Sequence, residues 1–210
     1  RQYDALNRHV ATGYVDPVSG ASHVFEEIAY DTTSFPRRLI KTAYMAPDKQ
    51  QPHVAYEFTD GLGRTIQKRS PAENAGQQIV SGTVELDSLG RVGKAWVNYF
   101  ETASTSYNPT PPVELPPTTY RYDVLGRLLE IRGPDGHASF VAYDDWSSIG
   151  TDANGSQVKI VTDAYKRTVR VEELLSGQIL VTTYEYDSRD RTRLIRDAQG
   201  NETKTEYDSL

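Results

Sequence analysis

The residues able to do chemistry in this chain are mostly carboxylates. Asp144 and Asp145 stand beside Trp146, the combination of paired acids and a sugar-stacking ring that a glycosidase would use. On one strand, however, adjacent residues point to opposite faces, which places the two acids poorly for joint work. The histidines, His9, His23, His53 and His137, are too dispersed for a recognisable metal site. The chain has no cysteine, which excludes thiolate catalysis, disulfides and Cys-ligated zinc. Asp152-Ala153-Asn154-Gly155 offers oxygen ligands but lacks the regular spacing of a calcium loop. Arg189, Arg191 and Arg193 alternate as if along one side of a strand, with Asp187 and Asp190 close enough in sequence to offset them. Phosphate-cradling loops, nucleophile elbows and dinucleotide fingerprints are missing. The reading is a protein without catalytic residues, cofactor or metal.

Composition agrees. Of 210 residues, 23 are Lys or Arg and 29 are Asp or Glu, a net charge of -6 that argues against a general nucleic-acid binder. Mean hydropathy is -0.60, and no stretch approaches the roughly 20 apolar residues of a membrane-spanning helix. With 14 tyrosines, 15 glycines and 37% hydrophobic residues, the chain suits β-structure with frequent turns better than a large globular core.

What positions the carboxylates is a repeat. Tyr120-Arg121-Tyr122-Asp123-Val124-Leu125-Gly126-Arg127 is its clearest copy. Tyr56 to Arg64 carries Asp60, Gly63 and Arg64, with one residue inserted before Asp60. Asp87, Gly90 and Arg91 keep the spacing, and Tyr184, Tyr186, Asp187 and Arg191 form a copy with Asp190 in the glycine slot. Weaker copies surround Asp4, Asp31, Asp144 and Asp163, and Tyr207-Asp208-Ser209-Leu210 begins another.

Each residue type has a local task. Tyr-x-Tyr puts two rings on one face of a strand. Asp accepts a hydrogen bond from the backbone N–H two residues on and starts a turn. Gly supplies the positive φ that closes a short hairpin loop, and Asn7 or Asp190 tolerates the same geometry. Arg opens the return strand four residues after Asp, where an exposed pair is worth at most about 1 kcal/mol. Further turns, among them Asp16 to Gly20, Gly133 to Gly136, Asp152 to Gly155, Leu175-Ser176-Gly177 and Asp197 to Asn201, mark the other ends of many units. Val171 to Leu175, the one short helical candidate, reads as a strand because Gly177 ends it.

The predicted fold class is all-β: tandem antiparallel β-hairpins forming a wide, curved, spiralling sheet, because a sheet of roughly 16 strands cannot stay flat. Rows of aromatics, Tyr56/Phe58, Tyr120/Tyr122 and Tyr184/Tyr186, are expected to stack along one face. Residues 1–210 are expected to make a single repeat array, with 107–118 a proline-rich insertion loop. The chain begins and ends inside a motif, which predicts a slice of a longer array.

On the motifs at 120–127, 87–91 and 184–187, the sequence resembles the YD-repeat (Rhs) family of bacterial toxins and teneurins. It is most similar to the shell region of the B component of insecticidal toxin complexes. Asp60-Gly61-Leu62-Gly63-Arg64 with Gln67, Val80-Ser81-Gly82, Pro134-Asp135-Gly136-His137 and Trp146 followed by Asp152 support that assignment. The resemblance implies a non-catalytic structural segment of a secreted, extracellular bacterial shell that encapsulates a toxin cargo. Its partners would be the remaining repeats of the shell or a companion component, and the enclosed toxin polypeptide, with no nucleic acid and no membrane insertion by this segment. The family's propeller, cargo and C-terminal plug with its self-cleaving aspartates are not in this chain, and Asp16-Pro17-Val18-Ser19-Gly20 reads as an ordinary turn. The alternative is an extracellular β-repeat binding module that recognises carbohydrate or a cell-surface partner, for which Trp96 or Trp146 should stand exposed over a groove.

Overall fold

The computed structural model describes residues 1–45, 52–175 and 177–208. Ser176, Ser209 and Leu210, which belong to two of the expected turns, lie outside the described residues. The chain is all-β, with no helix among the described residues, and it divides into two compact units, Arg1–Pro117 and Thr118–Leu210.

In the first unit, β1 (Gln2–Tyr3), β2 (His9–Val15), β3 (Ser22–Asp31), β4 (Arg37–Ala43), β5 (His53–Thr59), β6 (Thr65–Pro71) and β7 (Gln77–Ser81) lie side by side in chain order, each antiparallel to the next. The chain then leaves this sheet to form the antiparallel hairpin of β8 (Val84–Leu86) and β9 (Val92–Ala95). It returns with β10 (Tyr99–Thr102) against β7, so that Tyr99 faces Val80. The second unit is an unbroken antiparallel meander: β11 (Thr118–Tyr122), β12 (Leu128–Arg132), β13 (Ala138–Tyr143), β14 (Ser147–Thr151), β15 (Gln157–Thr162), β16 (Thr168–Leu175), β17 (Gln178–Tyr186), β18 (Thr192–Arg196) and β19 (Glu202–Lys204). Within it each described strand pairs with its neighbours in sequence, as in a repeat array.

The turns that begin at the motif aspartates carry a feature the repeat alone does not reveal. The register shifts by one residue next to Asp60, Asp87, Asp123, Asp163 and Asp187, at Phe58/Thr59, Glu85/Leu86, Arg121/Tyr122, Val161/Thr162 and Glu185/Tyr186. Tyr186 faces Thr192 while Glu185 faces Leu194, which leaves Arg193 as the extra residue. Such a bulge bends the return strand and re-aims its side chains.

Apolar burial is sparse. The buried hydrophobic side chains are Ala11, Phe58, Val80 and Tyr99, all in the first unit. Around the last three lies a buried polar network. The Arg69 side chain, 1% exposed, donates from Nη2 to Glu101 Oε2 at 2.6 Å and from Nε to Gln67 Oε1 at 3.3 Å. Gln67 Nε2 reaches the Asn108 carbonyl at 2.8 Å, Asn108 N returns a bond to Gln67 Oε1 at 3.1 Å, and Asn108 Nδ2 donates to Glu101 Oε1 at 2.6 Å. The Tyr107 ring lies 5.8 Å from Phe58. The start of the proline-rich segment is therefore a lid over the best-packed part of the unit, held by a polar network that its composition does not announce.

Candidate functional site

The repeat loop is the structural element that recurs most often, and its geometry varies little from copy to copy. Asp60 Oδ1 accepts from the N–H groups of Leu62 and Arg64, both at 2.9 Å, while Oδ2 faces the Arg64 guanidinium at 2.6 Å. Asp4, Asp87, Asp123, Asp163 and Asp187 repeat the pattern with Arg8, Arg91, Arg127, Arg167 and Arg191 at 2.6–2.8 Å. Two backbone bonds close each loop. At Asp60, its N–H donates to the Arg64 carbonyl at 2.9 Å and Gly63 N–H donates to the Asp60 carbonyl at 3.1 Å.

The φ values at the fourth position explain the residue types found there. Gly63 has φ 81°, and Asn7 and Asp190 have 59° and 62°. Asp152 and Asp197 build the same loop at the opposite strand ends, with Ser156 and Asn201 in the arginine slot. The Asp152 carboxylate that suggested calcium thus accepts bonds from its own turn.

Hydrogen bonding to the charged form lowers the carboxyl pKa values. For Asp187 the Arg191 N–H is the largest cause, followed after the opposing effect of burial by the Arg191 guanidinium, and the value falls to about 2. Asp87 is lowered first by the Arg91 N–H and Asp163 first by the Arg167 guanidinium, while at Asp60 and Asp123 burial is the largest effect and the bonds from Arg64 and Arg127 together outweigh it.

Successive repeats are coupled by the tyrosine that precedes the next Asp. Arg8 lies 4.3 Å from the Tyr30 ring centroid, Arg127 4.4 Å from Tyr143, Arg167 4.9 Å from Tyr186 and Arg191 4.2 Å from Tyr207. In three of these the tyrosine hydroxyl also donates to the carbonyl just after the arginine: Tyr30 to His9 at 3.0 Å, Tyr186 to Thr168 at 2.7 Å and Tyr207 to Thr192 at 3.0 Å. Each such arginine is clamped between its own aspartate and the ring of the following repeat. An aromatic ladder was expected here; of its rings, Tyr56 lies 5.7 Å from Arg38 and Tyr186 4.9 Å from Arg167, while the ring pairs seen among the described residues are Tyr3–His9, Tyr14–His23 and Phe58–Tyr107. A cation interposed between rings uses their negative faces, which ring-on-ring stacking would leave unpaired. The intervals from each Arg to the clamping Tyr are 22, 16, 19 and 16 residues, so spacing in the sequence did not announce the contact.

The other candidates separate. Asp144, Asp145 and Trp146 lie in the tight turn between β13 and β14 and not on a strand, so the alternation argument does not apply to them. Arg189 sits at a loop tip, Arg191 is clamped by Asp187, and only Arg193 lies on β18, where it pairs with Glu185 at 2.8 Å; they form no stripe. No group of three metal-ligating residues occurs among the described residues.

Neither a family model nor a curated protein matches the chain. Solved structures do. The chain superposes on part of the crystal structure of TcdB2-TccC3 with a TM-score of 0.76 at 16% identity, over 94% of this chain and 13% of that one. The form without the hypervariable C-terminal region aligns with a TM-score of 0.67 at 17% identity, over 78% and 10%. A mutant Tc holotoxin pore from Photorhabdus luminescens aligns with 0.69 at 16%, over 81% and 10%. The chain therefore has the hairpin fold of a segment within these Tc toxin structures, and it spans about an eighth of the TcdB2-TccC3 chain.

Proposed function

We propose that this chain is a non-catalytic wall segment of a secreted YD-repeat shell that encloses a toxin polypeptide. The observation that carries the reading is a sheet without a second layer. In the second unit apolar residues of both faces remain in contact with solvent, Val158 at 38% and Ile179 at 60% exposure, on strands that pair in chain order. A globular domain would cover at least one of these faces. A barrier has no such need, because its two faces look onto two compartments. The Asp–Arg–Tyr clamp suits that role, since it joins each repeat to the next by nearest-neighbour contacts and can propagate over any number of copies. Likeness of fold to the Tc toxin structures supports the reading, and its partners are further repeats, other toxin-complex components and the cargo. No described helix is long and apolar enough to cross a membrane.

The cysteine-free sequence provides the test. Single cysteines at Val158 and Lys159, and at Val181 and Thr182, place thiols on opposite faces of β15 and β17. In the full-length gene product, with any cysteine outside these 210 residues replaced by serine, a bulky maleimide reagent should label one face of both strands and spare the other until the shell is opened with denaturant. Equal labelling of both faces would refute the reading.

A further inference from the structure

The repeat supplies its own baseline, and two departures from it meet in one cleft of the second unit. The first is Lys166. It occupies the fourth loop position with φ 63°, where other loops hold Gly63, Gly90, Gly126, Gly155, Gly200, Asn7 or Asp190. The left-handed conformation costs such a side chain about 1 kcal/mol relative to glycine. The second departure is the loop after Tyr143. It lacks the usual Gly and Arg and closes tightly, with Asp144 N–H donating to the Ser147 carbonyl at 2.8 Å. Trp146 is thereby left standing outward, 55% exposed.

Both departures line a cavity of ≈ 300 Å³ together with Tyr143 and Arg127. That volume is at the small end of ligand pockets, about 300–1,000 Å³. Arg127 is neutralised by Asp123 at 2.6 Å and stacked on Tyr143. Asp144 accepts only the neighbouring Asp145 N–H, at 2.9 Å, and the side chains of Asp145 and Lys166 have no partner among the described residues. An exposed indole, two carboxylates with free lone pairs and one ammonium thus converge on a space without closing it.

We propose that this cleft is a binding subsite for a neutral saccharide. The apolar face of a pyranose stacks on Trp146, its hydroxyl groups donate to Asp144 and Asp145, and Lys166 Nζ donates to a hydroxyl or ring oxygen. Two carboxylates against one unpaired ammonium disfavour an anionic sugar. An organic cation is disfavoured by Lys166 itself. Retention of a strained lysine is understandable where its side chain meets a ligand. The site is independent of the wall reading, because it requires only the second unit's own residues.

The test is a fluorescence titration of the 210-residue chain carrying Trp96→Phe, so that Trp146 reports alone. The probes are the methyl glycosides of glucose, galactose, mannose and N-acetylglucosamine, with sialyllactose as the anionic control. An immobilised glycan array forms a second arm that separates cell-surface glycans from free sugars. A saturable change with at least one neutral saccharide in either arm is expected. In the original chain, bound neutral glycan should be lost from the array with Trp146→Ala, and in the reporter background Lys166→Gly should weaken binding about tenfold. Because Lys166→Gly also relieves the backbone, its urea midpoint should rise, which separates lost binding from lost folding. No saturable response to any neutral saccharide, unchanged binding by Lys166→Gly, or preference for the sialylated probe would overturn the proposal.

Discussion

Substituting Glu101 by Leu tests whether the polar network under the proline-rich segment is a cooperative unit. The Arg69 side chain is almost wholly buried, and its Nη1 already has no partner. Of its two hydrogen bonds, that to Glu101 is short at 2.6 Å and charge-assisted, whereas that to the neutral Gln67 amide is long at 3.3 Å. Removing the carboxylate leaves a buried cation uncompensated, a change that costs about 3–5 kcal/mol. The Glu101 side chain is itself 29% exposed, so water can enter part of the vacated space and the expected loss lies near the lower end, about 3 kcal/mol. Glu101→Leu also strands Asn108 Nδ2, which loosens the segment over Phe58. Urea unfolding followed by Trp96 in a Trp146→Phe background reports from the first unit, since each unit contains one tryptophan. Removing both charges with Arg69→Met and Glu101→Leu should restore most of the loss, because an apolar pair of similar volume replaces an ion pair at little net cost. A single-mutant cost under about 1 kcal/mol, or a double mutant as unstable as the sum of the singles, would refute the reasoning.

Three more outcomes follow from the geometry. Gly63→Ala should cost about 1 kcal/mol from backbone conformation alone, since φ is 81° and an added Cβ meets nothing within 4 Å. Gly13→Ala should cost more, because its Cβ would sit 2.3 Å from the His23 carbonyl oxygen, and urea midpoints for the two variants compare them directly. Phe58→Ala should destabilise the first unit by about 3–5 kcal/mol, read from the Trp96 transition in urea. For acid, Asp187 falls from an ordinary 3.8 to about 2, and Glu202 from 4.5 to about 2 through its bonds to Arg196 and Lys204. Lowered folded-state values mean stability that is present above the unfolded-state values and lost as pH falls through the folded ones. The contribution of these two groups to the urea midpoint of the second unit should therefore be fully present well above pH 4.5, decline as pH falls through that value and be lost by about 2; a midpoint that rises on acidification contradicts this.

What the amino-acid sequence determined by itself was everything set within a few residues. The Asp-x-x-Gly-Arg spacing marked the loops, because a positive φ and an Asx-type acceptor each leave a single-residue signature. Alternating residues between loops marked the strands, and the strand at Val171 to Leu175 was legible because Gly177 follows it. Tertiary structure alone decided which distant residues meet. The clamp of Arg167 by Tyr186 depends on a one-residue bulge that no local pattern encodes. The return of β10 to β7 past an excluded hairpin brought Glu101 to Arg69, and the packing of Asn108 turned a proline-rich loop into a lid. Trp146 and Lys166 became one cleft only because adjacent hairpins place their loops at the same edge. Loop conformation is settled by the bonded neighbours of each residue, whereas these contacts are settled by strand register, a property of pairs of strands that neither strand contains alone.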